Sequence, residues 1–143
     1  MPCACSALRM TSRAVSRFYE ACLAPTGTTT TQYSILRYIQ VKGPTPLRVL
    51  ADALTLERTS LYRAIGPLKR DGLVEVRTDP DDARVKRAYL TRKGAGQIRR
   101  VTPYWRRAQE SFVATIGASE WTAAAKHLED LRDRVAQMDH ALL

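Results

Sequence analysis

Residues 45–91 constrain the fold more tightly than any other stretch of this chain. Two short amphipathic helical patterns are followed by two β-rich runs with a charged, turn-prone tip between them. Thr45-Pro46 reads as a helix start, a capping hydroxyl followed by proline at the first helical position. Leu47, Leu50, Ala51 and Leu54 then share one face, and Thr55-Leu56-Glu57 makes the turn. A second helix is predicted over 58–71, with Leu61, Ile65 and Leu68 inward and Gly72 as its C-cap. Leu73–Arg77 and Arg87–Thr91 read as strands, with Asp79-Pro80-Asp81-Asp82-Ala83 as the turn. Helix, turn, helix, hairpin is the order of a winged helix-turn-helix.

The charge distribution says what such a module would meet. The net charge is +9, and between Arg58 and Arg107 there are 14 Lys/Arg against 5 Asp/Glu, leaving 9 of each sign elsewhere. The whole excess falls on the second helix, the hairpin and the start of the next helix. A localised positive field is what a polyanion requires, and the expected partner is double-stranded DNA. A merely solubilising surface is the alternative, but that need not gather in one third of the chain.

Residues about 100° apart around the 58–71 helix separate its faces. Thr59, Arg63, Gly66 and Arg70 lie opposite the Leu61–Ile65–Leu68 stripe, with Ser60, Tyr62 and Lys69 at the flanks. A helix fits the major groove, where hydroxyls reach bases or phosphates and arginine pairs bidentately with guanine. Arg63 is the expected base contact, Thr59 and Ser60 suit phosphate or base, and Lys69 and Arg70 suit phosphate. A bare solvated face is the alternative. Gly66-Pro67 is a local conflict that favours a bend there. Near the hairpin tip, Arg84, Lys86 and Arg87 could enter a narrow minor groove, with Asp79 or Asp82 holding Arg84 in place. An ordinary charged turn is the alternative there.

Helices flank this module. Residues 6–23 carry Leu8, Val15, Phe18 and Cys22 at helical spacing, Ala24-Pro25-Thr26-Gly27 breaks the chain, and the 28–31 threonines cap a helix running to Lys42 with Ile35, Leu36 and Ile39 inward. A long helix is predicted over 92–116, kinked at Pro103 and ended by Gly117. Ser119 is the expected cap of a last helix. In it Trp121, Ala124, Leu128, Leu131, Val135, Met138 and Leu142 alternate spacings of three and four, a heptad seam. Spare apolar stripes on both terminal helices suggest a homodimer, with Leu8, Val15, Phe18, Trp121, Leu128, Leu131, Val135 and Met138 as contacts; closure of the chain's own core is the alternative. The expected organisation is an N-terminal dimerisation helix (1–30), a DNA-binding domain (31–96) and C-terminal dimerisation helices (97–143). The fold class is mainly α with a small β-hairpin wing.

Other classes are poorly supported. No phosphate loop, metal motif or activated nucleophile stands out, so neither an enzyme nor a cofactor is expected. No apolar run reaches the roughly 18 residues of a membrane span, and Arg9, Ser12, Arg13 and Arg17 interrupt any signal-peptide core, which predicts a cytoplasmic protein. Arg17, Tyr33, Tyr38, Tyr104 and Trp105 could line a cleft for an aromatic carboxylate, or serve as core and interface. Cys3 and Cys5, one residue apart at a helix start, could be redox-active or bind a soft metal, or simply sit at a frayed end; Cys22 suits the core. His127 and His140 lack metal-ligand spacing.

With these residues in view, the chain resembles the MarR family of winged-helix transcription regulators over nearly its whole length. The matching text is Thr31-Gln32-Tyr33-Ser34-Ile35-Leu36, Leu50-Ala51-Asp52-Ala53-Leu54, Arg58-Thr59-Ser60-Leu61, Leu68-Lys69-Arg70-Asp71-Gly72-Leu73-Val74, Asp79-Pro80-Asp81-Asp82-Ala83-Arg84 and Leu90-Thr91-Arg92-Lys93-Gly94. The resemblance implies a homodimer built on the terminal helices, the 58–71 helix in the major groove and Arg84 in the minor groove of a pseudo-palindromic promoter site. It also implies, in most members, repression relieved by a small aromatic ligand or an oxidant. Three positions depart from the family pattern: Asp81 stands where a basic residue is usual, Thr55 where glycine is frequent, and Gly66-Pro67 is not a general feature.

Overall fold

The computed structural model describes the backbone of residues 1–142 and the side chains of residues 1–138. It consists of helices α1 (Ala4–Leu23), α2 (Thr30–Lys42), α3 (Leu47–Ala53), α4 (Arg58–Arg70), α5 (Arg92–Ile116) and α6 (Ala118–Leu142), with strands β1 (Thr45–Pro46), β2 (Val74–Thr78) and β3 (Lys86–Leu90). The chain forms two compact units, Met1–Trp105 and Arg106–Leu143. No helix among the described residues is long and apolar enough to cross a membrane.

The first unit is built on the stripes that the spacing predicts. Ile35, Leu36 and Ile39 from α2, Leu50 from α3, Leu61, Ile65 and Leu68 from α4, and Val74 and Ala88 from the sheet are all buried in one cluster. Burial of each large aliphatic side chain stabilises the fold by roughly 1.5–3 kcal/mol. Helix α2 begins at a reciprocal capping box. The Thr29 hydroxyl accepts from the Gln32 amide, and the Gln32 side chain accepts from the Thr29 amide. Glu20 of α1 adds a carboxylate to the same end, accepting from the amide (3.0 Å) and hydroxyl of Thr30, where the helix dipole favours negative charge.

Several boundaries differ from expectation, each for a local reason. Thr45-Pro46 does not open α3. It forms β1, an edge strand in the order β1-β3-β2, pairing Thr45 with Ala88 and Pro46 with Arg87. An edge position tolerates the proline's missing donor, and two residues are too few to show strand periodicity. Helix α1 starts at Ala4 rather than residue 6, and α4 ends at Arg70. The hairpin strands sit one residue off the expected ranges. Ser119 lies inside α6; the chain turns into that helix at Gly117 (φ +101°), whose carbonyl accepts from the Trp121 amide.

The turn between α3 and α4 holds Thr55 at φ 52°, the sole non-glycine left-handed residue among those described. For a β-branched residue this costs about 1–2 kcal/mol, and it is the physical reason glycine suits this position. The end of α4 is a Schellman motif. Leu73 donates to the Leu68 carbonyl (2.9 Å), Gly72 donates to Lys69 (3.0 Å), and Gly72 adopts φ +73°. Helix α5 is capped by Thr91, whose hydroxyl accepts from the Gly94 amide (2.9 Å) and lies 2.7 Å from the Gly72 carbonyl, to which it donates. One side chain thus joins the end of α4, the start of β2 and the first turn of α5.

In the second unit, Phe112 and Trp121 meet edge to face at 5.0 Å between ring centroids. Leu128, Leu131, Val135 and Met138 of the heptad seam are all exposed. Leu142 and His140 lie outside the described side chains.

Candidate nucleic-acid interface

Helix α4 presents two contrasting faces because its apolar residues recur every three or four positions. Leu61, Ile65 and Leu68 are 1–2% exposed, while Tyr62 is 50% exposed. Thr59, Ser60, Arg63, Lys69 and Arg70 are also exposed. The exposed set has two hydroxyls near the N-terminal end, Arg63 one turn further on, and two cations at the C-terminal end. Among the described residues, the acidic contact on this face is at that end, where Arg70 Nε lies 3.4 Å from Asp71 Oδ1. Pro67 stands within the helix, which continues to Arg70. Proline has no N–H to offer the carbonyl of Arg63, four residues earlier. The place where α4 loses its regular hydrogen bond is therefore the residue at the middle of its solvent face.

The wing is organised by a buried carboxylate. Asp79 is 7% exposed. One of its oxygens accepts from the amides of Asp81 (2.8 Å) and Asp82 (3.3 Å); the other accepts from Arg87 Nε. Its own amide donates to the Val85 carbonyl (2.8 Å), closing the turn. Arg84 is held by Asp82 instead, in a two-pronged pair at 3.2 and 3.3 Å, and its side chain is 90% exposed. Of the two aspartates that could position Arg84, Asp82 does so. Arg87, expected among the outward cations, is half-buried and engaged by Asp79, so it builds the wing; Lys86 is exposed. The sequence reading missed this Asp79–Arg87 pair. The Asp-Pro-Asp-Asp run was its visible signal, since an aspartate side chain readily accepts from amides two and three residues on.

The Arg87 guanidinium, then the Asp81 amide, hold the Asp79 carboxyl below the usual carboxylate range. A depressed folded-state pKa gives stability that is present above the unfolded value, about 3.9, and is lost as pH falls through the folded one. The wing tip should therefore keep its order at pH 5 and lose it only in stronger acid. The backbone amide resonances of Asp81 and Asp82, followed by NMR between pH 6 and pH 2, would show it as a shift toward random-coil positions. Asp79→Asn should remove that acid transition; if it persisted unchanged, Asp79 would not be its source.

The residues expected to line an aromatic-acid cleft are only partly brought together. A cleft of about 250 Å³ between α1, α2 and α5 includes Tyr33 and Trp105, with Val15, Ser16, Tyr19 and Thr30. The Tyr33 and Trp105 rings lie 6.2 Å apart, and the Tyr33 hydroxyl is 3.0 Å from that of Thr102. Tyr38 and Tyr104 instead pack against the hydrophobic core. Arg17 is exposed and is not part of the cleft wall. Residue spacing placed these side chains on the right helices, but could not say which turn of each faced the gap.

Cys3 is the N-cap of α1 and Cys5 lies in its first turn; both are exposed, while Cys22 packs against the core. Hydrogen bonds from the Ser6 amide, then its hydroxyl, then the Cys5 amide hold the Cys3 thiol below its ordinary pKa. Leu8 and Phe18 of α1 are exposed, Val15 is half-buried, and His127 on α6 is exposed.

This arrangement has counterparts among known proteins. A profile of the MarR family matches residues 28–86. The HTH-type transcriptional regulator MhqR of Bacillus subtilis is 29% identical over 77 residues, 54% of this chain and 53% of that protein, so the chain matches about half the length of this relative. The crystal structure of the M. tuberculosis transcriptional regulator MosR in complex with DNA is similar with a TM-score of 0.84 and 33% identity, over 95% of this chain and 98% of that one. The PcaV transcriptional regulator of Streptomyces coelicolor, in complex with its natural ligand, is similar with a TM-score of 0.76 and 25% identity, over 91% and 89%. Likeness along nearly the full length of MosR, at 33% identity and a TM-score of 0.84, together with the family profile, makes this chain a member of the MarR family of winged helix-turn-helix transcriptional regulators.

Proposed function

We propose that the protein is a homodimeric repressor that recognises a pseudo-palindromic promoter site in double-stranded DNA. The observation that carries this reading is the solvent face of α4, where Thr59, Ser60, Tyr62 and Arg63 stand opposite a fully buried stripe. In this reading Arg63 pairs with a guanine edge in the major groove. Thr59, Ser60, Lys69 and Arg70 contact backbone or bases, and Arg84 with Lys86 reaches the minor groove. Arg87 contributes through the wing it holds in shape. Residues 31–96 form the DNA-binding part, and residues 1–30 and 97–143 supply the dimer contacts. That MosR is seen with DNA supports the assignment.

Release from DNA is proposed to follow binding of a small aromatic ligand in the Tyr33–Trp105 cleft, a reading supported by the ligand complex of PcaV. Such a ligand favours the dimer geometry in which the two reading helices no longer match consecutive grooves. A second route rests on the exposed Cys3 and Cys5. Two thiols would be oxidised to one disulfide by a peroxide, which takes up two electrons and two protons and leaves as two waters or, for an organic peroxide, as an alcohol and a water.

Arg63→Ala is the direct test. The loss should be roughly 1–3 kcal/mol of duplex affinity, with relaxed preference at one base step. Quantitative footprinting on the wild-type site and its single-base variants measures both. Unchanged affinity and unchanged preference would remove Arg63 from base reading. A non-specific architectural DNA coater, the competing reading, predicts equal affinity for the site and a scrambled duplex in the wild-type protein.

A further inference from the structure

Three segments of the first unit meet at a recessed, cation-lined notch that the reading above does not use. On α5, Lys93, Gln97 and Arg100 recur at i, i+4 and i+7, so they stand on one face. That face borders a cavity of about 370 Å³, whose other walls are the Thr26–Thr28 turn and the end of α4 at Arg70 and Asp71.

The floor is polar and preformed. Thr26 and Thr28 are 4% and 5% exposed. The Thr26 hydroxyl donates to the Leu23 carbonyl (2.7 Å) and accepts from the Thr28 amide (3.2 Å). Gln97 Nε2 donates to the Thr28 hydroxyl oxygen (2.8 Å) and to the Thr26 carbonyl (3.4 Å). Thr28 therefore accepts at its oxygen while its own proton has no acceptor among the described residues. A buried hydroxyl in that state keeps a donor for whatever fills the cavity it lines.

The rim is cationic. Arg70, Lys93 and Arg100 face one carboxylate, Asp71. Asp71 engages Arg70 Nε at 3.4 Å, and its backbone carbonyl takes one proton of the Lys93 ammonium at 2.7 Å. Arg100 has no ion pair or hydrogen bond among the described residues. Two positive charges are left in excess over a hollow with a free donor at its base.

We propose that this notch binds a compact dianion, the chemistry shared by a phosphate group and a short dicarboxylate, with Lys93 and Arg100 as its charge partners and the Thr28 hydroxyl as its donor. A backbone phosphate of duplex DNA fits less well, because the Thr28 donor lies at the bottom of a concavity. Arg70 stands on the same rim, and the function proposed above assigns it to a DNA phosphate. An anion in the notch would draw that guanidinium inward and weaken duplex binding, a regulatory consequence that rests on that assignment; anion binding itself does not.

Isothermal titration with inorganic phosphate and, separately, with succinate tests the site without DNA, at matched ionic strength and on the full-length protein. Saturable binding of at least one anion, one per chain, is expected, and the tighter of the two identifies the source. Lys93→Gln and Arg100→Gln should each weaken it at least fivefold, and Arg13→Gln, an exposed cation on α1, should leave it unchanged. Thermal melting of each variant at wild-type temperature confirms that the loss is local. No saturable binding of either anion, or equal weakening by Arg13→Gln, would overturn the proposal. A parallel titration in phosphate-free buffer should give Arg100→Gln and wild type the same duplex affinity; weaker binding by the variant would assign the notch to a DNA phosphate and overturn it as well.

Discussion

Gly94→Ala should destabilise the protein by about 3 kcal/mol or more, an effect at the upper end of what overpacking produces. Gly94 is buried where the first turn of α5 crosses the start of β2. A Cβ there would sit 2.1 Å from the Leu73 carbonyl oxygen and 2.7 Å from Leu90 Cδ1. Leu90 can turn its side-chain end aside, but the Leu73 backbone cannot give way cheaply. The Leu73 carbonyl accepts from the Thr91 amide and hydroxyl, and the Leu73 amide completes the Schellman motif of α4. The clash therefore forces apart the joint between the end of α4, β2 and α5. Urea unfolding at fixed protein concentration measures the loss as a lowered midpoint with unchanged slope. Gly96→Ala is the control two residues on. Its added Cβ meets nothing closer than the Arg99 guanidinium, at 3.6 Å. With higher helix propensity and no clash, that variant should gain up to about 1 kcal/mol. Equal responses from the two variants would show that the close approach at Gly94 does not matter.

The second large effect concerns assembly. Leu128 and Leu131 are 45% and 41% exposed on successive turns of α6. Replacing both with Asp places charge on the seam that the proposed dimer would bury. The double variant should sediment as a monomer at micromolar concentration and keep its far-ultraviolet helical signal, because both side chains face solvent within the chain. Loss of the second reading head removes the benefit of paired half-sites, and duplex affinity should fall by about 10²–10⁴-fold. A dimer that survives with full affinity would place the subunit contact elsewhere.

How much of this was legible in the sequence differs by element. The stripe Leu61–Ile65–Leu68 and the Ile35, Leu36 and Ile39 set follow from helical spacing, and all six are buried. Helix α5 spans the expected 92–116, because Gly117 is a strong local stop signal. Strand β1 was invisible, since a two-residue edge strand has no periodicity of its own and exists only through its pairing with Ala88 and Arg87. The Asp79–Arg87 pair was missed for a related reason. Eight residues separate its partners, and the hairpin register, one residue off the expected strands, decides which arginine comes round to the buried oxygen. In the aromatic cleft, Tyr33 and Trp105 meet because α2 and α5 approach there, while Tyr38 and Tyr104 turn to the core. Spacing assigns a residue to a face; only the approach of a second element decides what that face meets.

The Thr91 side chain ties three segments at a single point. With the Schellman turn that ends α4 and the opening turn of α5 fastened to the same oxygen, α4 has little freedom to spin about its long axis. It would move with α5, as the short arm of a lever whose fulcrum is that hydroxyl. Pressure applied about three and a half turns along α5, beside Trp105, would reach the exposed side chains of α4 as a change of tilt, with their order around the helix preserved.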